Sequence, residues 1–79
     1  MSAVPLLCVV LDTDVVFEGL TKRGGAAGLL IDAWLDGQIY VCVSNAMAYE
    51  YVDVLSRKLS AARWTRIKPV LAGLLARAH

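Results

Sequence analysis

The chain has 79 residues, a net charge of +1, and an apolar fraction of 58% without counting glycine. That length allows one small domain, and ordinary globular chains reach only about 45–50% apolar with glycine included. So much apolar surface predicts a self-associating protein, at least a homodimer, or a fragment that has lost its packing partner.

No membrane span accounts for the excess. The longest apolar run, Ala3 to Leu11, is nine residues, against roughly 20 needed to cross a bilayer. It lacks a preceding Lys or Arg and runs into Asp12 and Asp14, so it is also a poor signal peptide, and the expected location is cytoplasmic. Cys8 and Cys42 sit in strand-like apolar runs and are expected as buried, reduced thiols. With no His or Cys beside them they make no zinc site. Positions 1–55 hold all seven acids and two bases, net −5, whereas positions 56–79 hold six bases and no acid, net +6. An acidic body with a basic tail suits an anionic partner bridged by a metal. It equally suits neutralisation of one region by the other, within or between copies.

In chain order, Val4–Leu11 is a continuous Val- and Leu-rich run. It predicts a strand buried on both faces, as in a parallel sheet covered by helices. The strand ends at Asp12, and a helix is expected to start near Asp14. Thr21-Lys22-Arg23-Gly24-Gly25 reads as a loop. Ala26–Asp36 follows as a helix with Ala27, Leu30, Ile31 and Trp34 on one stripe and Gly37 at its stop. Ile39–Val43 is a second short buried strand. Ser44 or Asn45 then caps a helix to about Lys58, with Met47, Tyr51, Val54 and Leu55 as its apolar stripe. Ser60 caps a last helix whose Trp64, Ile67, Leu71, Leu74, Leu75 and Ala78 repeat at three and four. Pro69 predicts a kink or a fresh start near Lys68. His79, at the end, is expected to be disordered. The whole is one α/β domain over residues 1–79, with two strands and three or four helices.

Two places could carry chemistry. Asp12 ends a buried strand, where ligands bind in open α/β sheets. With Asp14 two positions on, it offers oxygen ligands for a hard cation such as Mg²⁺ or Mn²⁺. Asp12 could instead simply cap the turn, and Asp14 the helix start. Glu50 falls between stripe residues Met47 and Val54, on or beside the buried face, where a carboxylate is costly without a compensating cation. A metal held jointly with Asp12 would supply that compensation. The bland alternative is a surface Glu at the stripe margin. Asp53 is expected to be solvated.

The ordered series Val10-Leu11-Asp12-Thr13-Asp14-Val15-Val16, Gly24-Gly25-Ala26-Ala27, Trp34-Leu35-Asp36-Gly37, Val43-Ser44, Glu50-Tyr51 and Val54-Leu55 resembles the PIN-domain family. Its closest branch is the one described as toxin components of toxin–antitoxin systems. The resemblance implies a Mg²⁺- or Mn²⁺-dependent endoribonuclease with an antitoxin protein as partner. Carried over by position, Asp12 and Glu50 are the catalytic metal-binding carboxylates, Asp14 is a supporting metal ligand, and Thr13 and Ser44 orient the carboxylates. Arg57, Lys58, Arg63 and Arg66 on the basic tail are candidates for the RNA backbone. Members of the family are nearly twice this long, and their further acids lie on later segments. The chain is therefore expected to carry only the front of the acidic site and to be inactive alone or completed by oligomerisation.

Two other readings compete. Val9-Val10-Leu11-Asp12-Thr13-Asp14-Val15-Val16 and Val41-Cys42-Val43-Ser44-Asn45 also resemble motifs of haloacid-dehalogenase-type phosphatases, with Asp12 as nucleophile. That family needs a Lys and later acids, and no acid follows Lys68. The third reading is a non-catalytic oligomerising module whose apolar last helix pairs with another chain.

Overall fold

A computed structural model describes residues 8–22 and 24–79. The elements run β1 (Cys8–Val9), α1 (Thr13–Thr21), α2 (Ala26–Leu35), β2 (Tyr40–Val41), α3 (Asn45–Lys58) and α4 (Ala61–Ala76). The strands are parallel, with Cys8 opposite Tyr40 and Val9 opposite Val41. The expected α/β class with a parallel sheet and four helices is what the chain forms. The first part of the anticipated Val4–Leu11 strand, and Arg23 of the loop, lie outside the described residues.

Helix boundaries follow from local chemistry. Ser44 Oγ accepts from the Met47 amide at 3.1 Å, and Ser60 Oγ from the Arg63 amide at 3.3 Å, each satisfying an amide that the first turn leaves free. Gly37, at φ +75°, supplies the left-handed residue that ends α2 after Asp36. Asp12 stands at the start of α1, its side chain accepting from the Thr13 amide. That helix was foreseen only as a start near Asp14.

One core joins the elements: Leu11, Val16, Ile31, Trp34, Val41, Tyr51, Leu55, Leu59, Leu71 and Leu74. The α2, α3 and α4 stripes bury largely as their spacing predicts, although Leu30 stays at the exposed margin. Gly19 of α1 lies against α2. A Cβ built there would collide with the Ile31 side chain and come within 2.6 Å of the Ala27 carbonyl oxygen.

Four expectations need correction. Among the described residues the sheet is covered on one face only: Val41 is fully buried, whereas Val10 is 62% exposed and Tyr40 and Cys8 are exposed with it. Successive strand residues point to opposite faces, and the Val10 face has no layer over it among the described residues. On that open face Cys8 and Cys42 are joined in a disulfide with Cα atoms 5.3 Å apart. They are not buried free thiols, because the parallel register makes them diagonal neighbours. Of the kink or fresh start expected at Pro69, the fresh start does not occur: α4 runs through it as one helix. The ring is exposed, while Leu71 and Leu74 on the next turn are buried, so packing holds the helix across the missing amide. Finally, His79 is docked on β2. Its amide donates to the Val41 carbonyl at 2.8 Å, its carbonyl accepts from the Val43 amide at 3.2 Å, and its ring meets Tyr40 edge-on at 4.6 Å. This is the bonding pattern of one rung of a parallel ladder, on the edge of β2 away from β1.

Candidate metal centre

The site is built at the corner where β1 turns into α1. Leu11 is buried and Asp12, the next residue, is exposed. Asp12 Oδ1 accepts the Thr13 amide at 2.8 Å, which leaves the other carboxylate oxygen free of that bond. Placing an acid at the amino end of a helix also satisfies the helix dipole, so the capping role weighed for Asp12 is real and is compatible with ligand binding.

Glu50 approaches from α3. Its neighbour Tyr51 is fully buried and Glu50 itself is exposed. Glu50 therefore sits beside the buried stripe, and the burial cost anticipated for it does not arise: adjacent helical residues point about a quarter-turn apart, which puts the carboxylate in solvent when the phenol is in the core. Neither Asp12 nor Glu50 has an ion-pair partner among the described residues, where the pairs are Lys22 with Glu18 and Arg57 with Asp53.

Tyr51 relates the two carboxylates. Its hydroxyl donates to the Leu11 carbonyl at 2.5 Å, across 40 residues of sequence. The phenol is held above its ordinary value of 10.0, first by burial, then by the negative charge of Asp12, then by that of Glu50. Leu11 and Tyr51 are the chain neighbours of Asp12 and Glu50, so the Tyr51–Leu11 bond joins the residue beside one carboxylate to the residue beside the other.

The other anticipated residues are distributed differently. Asp14 lies exposed in the first turn of α1. Among the described residues no three His, Cys, Asp or Glu side chains gather as a metal-holding group. Thr13 is buried at 7% exposure, and it is its backbone amide that holds Asp12. Ser44 spends its hydroxyl on the Met47 amide, at the cap of the helix that carries Glu50. Of the basic residues, Arg57 is paired with Asp53 at 3.1 Å and Lys58 lies 5.2 Å over the Phe17 ring. Arg63 reaches the Thr21 carbonyl at 3.5 Å. Arg63 and Arg66 line a surface hollow of about 300 Å³ with Leu20 and Ile67. The residue missed at the sequence level is Tyr51, read there only as core. Its hydroxyl in an apolar stripe was the one available signal, since a buried phenol needs a partner.

With this geometry in place, comparison with protein families gives a match to the PIN domain over residues 8–78. The chain belongs to the PIN-domain family, and that membership takes precedence over the phosphatase resemblance of the segment around Asp12. No curated protein and no solved structure gives a significant match. PIN domains generally use divalent metals, and Asp12 and Glu50, exposed carboxylates with no ion-pair partner among the described residues, are donors of the oxygen type that a hard ion takes.

Proposed function

We propose that this chain carries the Asp12 and Glu50 part of a Mg²⁺- or Mn²⁺-dependent, toxin-like endoribonuclease site and works in the cytoplasm. The supporting observation is the Tyr51–Leu11 hydrogen bond, which joins the residue beside Glu50 to the residue beside Asp12, within a family that generally uses divalent metals. No helix among the described residues is long and apolar enough to cross a membrane, which is compatible with that setting. Asp12 and Glu50 would hold the ion, and Asp14 would support it. The ion, when bound, polarises a phosphodiester and activates water. The chain's own part is to present two carboxylates from a strand–helix corner and a neighbouring helix. Arg63 and Arg66 would attract the RNA backbone by salt-sensitive phosphate contacts, with Arg57 and Lys58 secondary because each already has an intramolecular partner. A second copy of the chain or an antitoxin protein would supply further acids or cover the remaining apolar surface.

Calorimetry with Mn²⁺ tests the site. Asp12→Asn and Glu50→Gln should each weaken binding at least about tenfold, the scale on which even outer-shell changes act. Melting temperatures without metal should stay unchanged, because Asn also caps helices well and Glu50 is exposed. Equal affinity in the wild type and both variants would remove the assignment.

A second reading, a non-catalytic oligomerising module, rests on the lack of a third gathered acid among the described residues. It predicts a stable oligomer by sedimentation and no Mn²⁺ heat.

A further inference from the structure

We infer that Tyr51 is the positioning residue of the metal site: by bonding the Leu11 carbonyl from the helix that carries Glu50, it sets where Asp12 stands relative to Glu50. The inference rests on the reading of Asp12 and Glu50 as metal ligands.

Three observations carry it. Leu11 is the last residue before Asp12, so whatever holds its carbonyl holds the peptide that leads directly into the carboxylate-bearing residue. The Leu11 carbonyl accepts the Tyr51 hydroxyl, and Tyr51 is adjacent to Glu50 on α3. The span from one carboxylate to the other through this bond is therefore two residues of backbone at each end of one side chain. The covalent routes are longer: one runs through α1, α2 and β2, the other back along β1 and across the Cys8–Cys42 disulfide to the start of α3. Second, the phenol is fully buried, so water does not compete for the bond, and its ring is fixed by the core around it. Third, Asp12 itself has little else to fix it. Among the described residues β1 and β2 pair at two positions, the Cys8–Cys42 disulfide ties the strand upstream of Leu11, and Asp12 is exposed with its side chain bonded to its own neighbour, Thr13.

A two-carboxylate site depends on ligand separation more than a site with many ligands does. A hard cation with near-ideal octahedral demands tolerates little drift between its oxygens, and second-layer hydrogen bonds that orient ligands typically alter metal affinity by about 10–100-fold. Tyr51 has the form of such a bond, except that it orients the backbone of one ligand from the helix of the other.

Tyr51→Phe removes the hydroxyl and keeps the ring. Mn²⁺ affinity is measured by calorimetry well below the melting transition, where circular dichroism shows wild type and variant equally folded. About a tenfold loss is expected, together with a smaller rise in melting temperature on adding Mn²⁺. A purely structural role would lower the melting temperature equally with and without Mn²⁺ and leave the affinity alone, and that result would overturn the inference. Asp12→Asn and Glu50→Gln are measured alongside. If both weaken Mn²⁺ binding and Tyr51→Phe does not, the positioning role falls and the metal site stands; if neither weakens it, the metal site itself falls. Should Tyr51→Phe fail to fold, the wild type decides. With the tyrosine ζ-carbons labelled, saturating Mg²⁺ should shift the Tyr51 resonance and leave that of exposed Tyr49 in place. An unmoved Tyr51 signal would refute the role.

Discussion

Reducing the Cys8–Cys42 bond should cost this domain a large part of its stability. The cross-link closes a loop with a sequence separation of 34, which holds α1 and α2. Loop-closure entropy for about 34 residues amounts to about 3.8 kcal/mol at 25 °C. A folded domain of this size has roughly 4–12 kcal/mol in total. The link is therefore a third of the stability at the upper end and nearly all of it at the lower end. Among the described residues β1 and β2 share two registered pairs, so that ladder offers little to replace it. Each kcal/mol moves the melting temperature of so small a domain by about 4–8 °C, so reduction should lower it by roughly 15–30 °C.

The assay is urea unfolding followed by far-ultraviolet circular dichroism, with and without a phosphine reductant. The midpoint should fall on reduction, and the slope should rise because the uncross-linked unfolded chain exposes more surface. Cys8→Ser is the matching variant. Cys8 is exposed, so the substitution itself sacrifices little packing, and the variant should resemble the reduced wild type and ignore the reductant. The reasoning is refuted if Cys8→Ser matches the oxidised wild type, or if reduction moves the midpoint by less than the equivalent of about 1 kcal/mol. The outcome also bears on the proposed cytoplasmic setting, where thiols are held reduced: there the domain would work in its weaker state, and a binding partner would contribute correspondingly more to its folding.

Further predictions concern the helices and the buried phenol. Gly19→Ala should destabilise by about 1–3 kcal/mol although alanine is the better helix former, because the new methyl meets Ile31 and the fixed Ala27 carbonyl. Gly28→Ala, whose Cβ meets only the Lys22 carbonyl at 3.6 Å among the described residues, should stabilise by about 0.5–1 kcal/mol. Thermal denaturation checks both, and a stabilised Gly19→Ala would disprove the close α1–α2 crossing. Stability should also decline at alkaline pH. With the folded Tyr51 value raised above 10.0, the unfolded chain loses this proton first. The contribution is intact below pH 10 and is lost as pH climbs from there through the folded value. Urea midpoints between pH 9 and 11 should fall less steeply in Tyr51→Phe than in the wild type, and parallel slopes would contradict the assignment.

What could be read without coordinates follows a physical divide between local and paired signals. Ser44, Ser60 and Gly37 act on groups within a few residues of themselves, and each did what its position implied. The α3 stripe was equally legible, since Met47, Tyr51, Val54 and Leu55 share a face by helical period alone. Asp12 and Glu50 were singled out by local marks, the end of a buried strand and a place beside an apolar stripe; Asp12 does end the strand and cap α1, whereas Glu50 is exposed at the stripe margin, the bland alternative for it. The corrections all involve partners far apart in sequence or on neighbouring elements. Cys42 finds Cys8 through strand register, His79 finds β2, and packing of Leu71 and Leu74 outweighs Pro69. A parallel sheet buried on both faces was inferred from apolarity, but apolarity is also what an uncovered face shows, as at Val10. Tyr51 is the sharpest case. Its ring announced itself as core, and the hydroxyl announced that a partner exists, but nothing in α3 names a carbonyl 40 residues earlier. The two proposed ligands were thus visible singly, and the contact between their chain neighbours was not. A site proposed from its acids alone therefore leaves out the bond that joins the residue beside one carboxylate to the residue beside the other.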